Sequence, residues 1–129
     1  MGKTVAEIKH LRPGGYVILD DVPCRVDKVQ VSTSGKHGHA KVRLEAIGLL
    51  DGTRRSLVKP SDEAVDVPII NKMKAQVLAI NGENAQLMDM ETYEVFELPI
   101  TDDVKDTIEA GKDITYFEVI GLRTVKQIK

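Results

Sequence analysis

The sequence predicts an all-β protein built of two small barrels in tandem, the second carrying one short helix. Three observations predict it. Apolar and charged residues alternate along 40–46, with Ala40, Val42, Leu44 and Ala46 on one side and Lys41, Arg43 and Glu45 on the other. That is the pattern of a half-buried strand. Further short apolar runs are punctuated by Asp-, Asn-, Gly- and Pro-bearing turns at barrel-like spacing. The charge balance also changes near Ile70–Lys72. Residues 1–70 hold 11 Lys+Arg against 9 Asp+Glu, and residues 71–129 hold 7 against 11. The domains are therefore placed at 1–70 and 71–129.

The elements follow in order. Residues 16–20, YVILD, form a short strand, and DDVP turns the chain because aspartate and proline favour turns. In CRVDKVQVST (24–33) the apolar parity slips: Cys24 and Val26 share one face, but Val29 and Val31 have the opposite parity. One extra residue near Asp27–Lys28, a β-bulge, returns all four to one side. Strand 40–50 follows, and Asp51-Gly52 is a strong hairpin signal. Residues 56–60 and 64–70 are short strands whose prolines mark ends or edges.

In the second half, 72–80 is a strand, NGEN (81–84) a turn, and 85–100 one long strand or two, bent near Glu91–Thr92. The segment 101–111 reads as the helix. Thr101 caps it, Asp102 and Asp103 suit its N-terminus, Val104 and Ile108 are i,i+4, and Gly111 closes it. Residues 113–128 return as strand, with Gly121 as a kink or bulge. Strands with one helix before a final strand suit a five-stranded OB-like barrel.

Composition excludes several functions. Apolar residues make up 42% and charged residues 29%, ordinary for a globular protein. There is no tryptophan and few other aromatics, so no ring platform for bases is evident. No apolar run is long enough to span a membrane, the first ten residues hold no signal-peptide core, and the chain is expected to be cytoplasmic. Cys24 is the only cysteine, which rules out an internal disulfide and reads as a small buried hydrophobe. No nucleophile, histidine and carboxylate set is visible, and the protein is expected not to be an enzyme. Gly2–Thr4 resembles the tail of a phosphate-binding loop but lacks its upstream strand and first glycine.

One stretch stands apart: VSTSGKHGHAKV, from Val31 to Val42. Gly35 and Gly38 permit backbone angles that other residues resist. Ser32, Thr33 and Ser34 shape the turn by local hydrogen bonds. Strands on both sides hold the tip of the loop away from the body, so Lys36 heads a projecting cationic finger, with Lys41 and Arg43 on the outer face below it. The bland alternative is a solvated hairpin tip. GKHG (35–38) fits a backbone-clamping GXXG motif, but its flanks read as strands rather than helices. His37 and His39, with His10 as an unplaced third, form a zinc-binding alternative that lacks a nearby carboxylate or cysteine ligand.

The stretch STSGKHGHAK closely resembles the modification loop of the translation factor 5A family. RPGGYVILDDVPCRV (12–26) and AKVRLEAIGLLDGTRRSLVKPSDEAVDVP (40–68) resemble the family's first domain, and the second half resembles its second. The resemblance implies an SH3-like barrel followed by an OB-fold barrel. It implies that Lys36 receives an aminobutyl group from spermidine through deoxyhypusine synthase, becoming deoxyhypusine or hypusine, with no other cofactor. It further implies binding to the ribosome beside P-site transfer RNA and promotion of peptide bond formation at stalls such as proline runs. The short loop and the lack of an acidic N-terminal extension point to the archaeal branch. Lys41 and Arg43 are then RNA contacts, with Arg54, Arg55 and Lys59 as further candidates. His37 and His39 either meet RNA or simply supply loop polarity. The reading from another class is a general RNA-binding module that does not depend on lysine modification.

Overall fold

The computed structural model describes residues 2–33 and 40–128. The chain divides into two compact units, Met1–Ile69 and Ile70–Lys129. In the first, β1 (Lys3–Glu7) leads into a single 3₁₀ turn, Ile8–His10. Then come β2 (Tyr16–Leu19), β3 (Val22–Ser32), β4 (Lys41–Gly48), β5 (Arg54–Pro60) and β6 (Ala64–Pro68). β1 pairs with β6, and the sheet β2-β3-β4-β5 wraps beside that pair in the half-barrel of an SH3-like unit. Its core is made by Ile8, Val17, Cys24, Val26, Val42, Leu44 and Ala46, each essentially sealed from water. Burying a side chain such as Leu44 contributes about 2 kcal/mol.

The β-bulge lies where the parity slip places it. Val26 pairs with Ala46 and Lys28 with Glu45, so Asp27 is the extra residue. Beyond it Val29 and Val31 face the same side as Leu44 and Val42, their partners across the ladder. Val29 packs on the core, whereas Val31 is 63% exposed although its partner Val42 is sealed, since β2 pairs only with Val22–Arg25 and β3 then has β4 alone beside it.

The β2–β3 turn is made by the aspartates alone, and Pro23 belongs to the strand, opposite Ile18. Asp20 and Asp21 both have positive φ, 52° and 62°. Two left-handed residues suit the twist of a two-residue hairpin, and glycine is favoured at the second position. Asp21→Gly is expected to stabilise the fold by about 0.5 kcal/mol, net of glycine's greater freedom when unfolded. A urea titration checks this through an upward shift of the midpoint at constant slope.

At the next turn, Gly48 lies where a Cβ would meet the Asp51 carboxylate at 2.0 Å and the Arg55 guanidinium at 3.0 Å. The missing side chain is what lets that ion pair close over the Asp51-Gly52 turn.

The second unit contains β7 (Ile70–Asn81), β8 (Asn84–Asp89), β9 (Val95–Pro99), β10 (Asp113–Val119) and β11 (Leu122–Thr124), in the order β11-β10-β7-β8-β9. This is the five-stranded antiparallel sheet of an OB barrel. Arg123 on β11 reaches Glu94, next to the start of β9, at 2.9 Å and draws the two edge strands together. The core comprises Ala75, Val77, Ala85, Leu87, Val104, Tyr116 and Val125. The segment 85–100 is two strands, broken by a turn over 90–94, and Gly121 sits in the β10–β11 turn rather than at a kink within a strand.

The expected helix over 101–111 is not formed. The segment makes successive turns with a single i→i−4 bond, from Ile108 N–H to the Val104 carbonyl. Contacts from elsewhere in the unit compete with the helical pattern. The Thr101 hydroxyl donates to Asp103 rather than capping, and the other Asp103 oxygen accepts from Gln127 N–H. The Thr107 hydroxyl donates to the Val104 carbonyl. Gly111 N–H donates to Val77, and Val77 N–H donates to Lys112, at the bulge of β7. Val104 still reaches the core, so the apolar spacing has its use without the helix.

Candidate functional site: the β3–β4 hairpin and its cationic face

β3 and β4 form the longest ladder of the first unit, from Cys24↔Gly48 to Ser32↔Lys41. Inward residues of β4 lock into the core while Lys41 and Arg43 stay exposed. The connection between the strands is the glycine-rich stretch. Ser32 closes the ladder and is exposed, as is Thr33 after it. Ser34, Gly35, Lys36, His37, Gly38 and His39 lie outside the described residues. On the far side, Ala40 is tied down where its carbonyl accepts from Ser61 N–H at 2.9 Å.

The five candidate RNA-contacting cations fall into two groups. Lys41 and Arg43 face outward on β4 and have no ion-pair partner among the described residues. Lys41 lies between Ser32 and Pro60, and Arg43 between Gln30 and Val58, so uncharged neighbours flank both. Arg54, Arg55 and Lys59 on β5 are instead held by the protein's own carboxylates.

Arg54 pairs with Asp27, the bulge residue, at 3.1 Å. Lys59 pairs with Glu63 at 2.9 Å. Arg55 makes a forked contact with Asp51 at 3.0 and 3.2 Å, with its side chain 18% exposed. The Asp51 carboxyl lies below its ordinary pKa, first because of that guanidinium and then because Thr53 N–H donates to it. A forked pair fixes the geometry of both groups, so Arg55 is a structural clamp on the hairpin. Only Lys41 and Arg43 among the five carry charge that is not locally offset.

Cys24 is fully buried, its thiol donates to the Val22 carbonyl, and burial raises its pKa. It behaves as the small hydrophobe that its setting implies. His10 is exposed at the end of the 3₁₀ turn. Among the described residues no three His, Cys, Asp or Glu side chains converge as a metal site. Nor is any helix among them long and apolar enough to cross a membrane.

A polar centre in the second unit was not visible in the sequence. Asp89, 6% exposed, accepts from Glu91 and Thr92 N–H through one oxygen and from the buried Tyr116 hydroxyl through the other. These donors lower its pKa to about 2, the Tyr116 hydroxyl contributing most. Burial and the same bond raise the pKa of Tyr116. The one sequence signal was an acid on the inward parity of β8, two residues from Leu87.

Comparison with known proteins matches both units. Residues 3–63 fit the family model described as "Translation initiation factor 5A-like, N-terminal". Residues 69–129 fit the model described as "Eukaryotic elongation factor 5A hypusine, DNA-binding OB fold". The chain is 48% identical to translation initiation factor 5A of Pyrococcus horikoshii, covering 98% of this chain and 95% of that protein. It is 46% identical to the Methanothermobacter thermautotrophicus factor, covering 100% and 99%. A solved factor from Methanococcus jannaschii superposes with a TM-score of 0.87 at 40% identity, covering 95% of this chain and 92% of that one.

The fold and these matches define the class as a two-unit factor of protein synthesis. The chain belongs to the translation initiation factor 5A family, on its archaeal branch.

Proposed function

We propose that this protein binds the ribosome and acts there through Lys36, after deoxyhypusine synthase has attached a spermidine-derived aminobutyl group to the lysine amine. The elongated side chain, as deoxyhypusine or hypusine, reaches P-site transfer RNA. It promotes peptide bond formation where proline runs slow the reaction. Proline is a poor partner because its ring fixes φ and restricts its neighbour. An arm that steadies the transfer RNA end accelerates the step by positioning, with no acid or base supplied by the protein.

The observation that carries this reading is the placement of STSGKHGHAK in the β3–β4 connection. There β3 is paired with β4 alone, and Val31 and Ser32 are exposed. Lys41 and Arg43 support it as phosphate contacts at the base of the arm. Gly35 and Gly38 spare the arm side-chain clashes in a crowded RNA pocket. Neither Lys36 chemistry nor RNA contact requires a resident metal or catalytic group.

The test is intact and peptide mass measurement on protein from its own cells. The peptide containing Lys36 is expected to carry the aminobutyl increment, and protein made in bacteria to lack it. An unmodified native peptide overturns the reading. It would leave a general RNA-binding module, for which Lys41 and Arg43 would each change the salt slope by about one unit and Lys36 no more than they do.

A further inference from the structure

The β8–β9 turn carries features that neither the fold nor the proposed function uses. Tyr93 is 71% exposed, yet its backbone has φ 63°. A bulky residue is unusual in that region, where glycine or asparagine costs less. The turn cannot relax because it is over-determined. Asp89 N–H donates to the Glu94 carbonyl, Tyr93 N–H to the Asp89 carbonyl, and the Asp89 carboxylate takes the Glu91 and Thr92 amides. Glu94 is pinned in turn by Arg123, whose guanidinium also lies over the Phe96 ring.

The fixed turn presents an apolar surface. Met90 is 43% exposed and Val95 49%. Val95 continues onto the outer sheet face, where it pairs with half-buried Met88, itself opposite Gln76. The charges around this surface are mostly negative. Glu91 and Glu97 are exposed, while Glu94 is offset by Arg123, which donates to both of its oxygens. Lys74, whose carbonyl accepts from Met90 N–H, is the nearby cation not engaged as Arg123 is. The second unit as a whole holds 7 Lys+Arg against 11 Asp+Glu. Phosphate is repelled by such a surface. An arginine side chain fits it, because a guanidinium stacks on an aromatic face and forks onto a carboxylate at its rim.

We propose that the turn carrying Met90, Tyr93 and Val95, rimmed by Glu91 and Glu97, is a docking surface for an arginine-bearing apolar segment of a partner protein. Tyr93 supplies the stacking face, Glu91 the carboxylate, and Met90 and Val95 the apolar bed for a neighbouring aliphatic side chain. This surface is independent of Lys36 and of its modification.

The experiment titrates the full-length protein, with methyl-labelled methionine, against three probes. They are an acetylated peptide of sequence glycine-arginine-leucine-arginine-glycine, its lysine counterpart, and oligouridylate. The arginine peptide is expected to shift the Met90 methyl and Tyr93 ring resonances at least about threefold more tightly than the lysine peptide. Tyr93→Asn is expected to weaken binding about tenfold while leaving Tm equal or higher, since asparagine accepts the left-handed backbone. Glu91→Gln is expected to weaken it several-fold. Three results overturn the proposal: no shift with the arginine peptide, equal binding by Tyr93→Asn, or oligouridylate shifting the same resonances more strongly.

Discussion

Lys36→Arg is expected to reduce stimulation of proline-run synthesis to near background while leaving Tm unchanged. Arginine keeps the positive charge, so a role resting on charge alone would survive. It does not keep the chemistry. A guanidinium stays protonated and delocalised at neutral pH, whereas a lysine amine loses its proton readily enough to act as a nucleophile. The aminobutyl group therefore has no acceptor, and the arm remains short. A positioning group held even an ångström from its proper place costs on the order of a hundredfold in rate. The stability half of the expectation rests on the fold. The core residues named above all lie in the described strands and turns, and the ladder that carries the connection is closed by Ser32↔Lys41. The measurement is peptide synthesis across a proline run on archaeal ribosomes with modified wild-type and variant factors, paired with thermal melts. Equal activity of the variant discards the modified arm as the agent.

The second large effect concerns Asp89. Asp89→Asn keeps size and shape but removes the charge that three donors address. It also sets an NH₂ group against either the two backbone N–H donors or the Tyr116 hydroxyl, which would have to accept and give up Asp89 as the acceptor for its own proton. Buried donors left without a proper acceptor are costly. Tm is expected to fall by more than about 5 °C.

The pH dependence follows from the depressed pKa. The carboxylate is ionised in the native state down to about 2, but protonates near its ordinary value of 3.8 when unfolded. Its contribution is complete above pH 4 and is lost as pH falls from 4 through 2. Wild-type stability is therefore expected to drop across that window, and the variant's dependence to be flatter there. Melts from pH 5 to pH 2 check both statements, and parallel curves for the two proteins would remove Asp89 as the cause.

Much of this structure was legible because the determining signals are local. The slip in parity between Val26 and Val29 placed the bulge, and alternation through 40–46 set the faces of β4, since side-chain period along a strand is a property of the strand itself. The helix over 101–111 had correct local signals too, in its capping threonine, early acids and i,i+4 valine and isoleucine. It gave way because Asp103 is taken by Gln127 and Gly111–Lys112 by Val77, partners that lie far along the chain. The carboxylate of Asp89 was hidden for the same reason. Its hydroxyl donor is Tyr116, 27 residues away.

The candidate site divides along the same line. The lysine motif, its glycines and the family they define were determined by the order of residues alone, because the stretch from Ser32 to Lys41 is a contiguous word. Which cations near it keep their charge free was decided only in three dimensions. Asp51 and Glu63 stand four residues from Arg55 and Lys59, yet only the turns that follow β4 and β5 bring them within reach, and Arg54 finds Asp27 across the bulge. Local pattern sets where a side chain points. Its charge is offset or left available by distance to a partner, and strand pairing and turns set that distance.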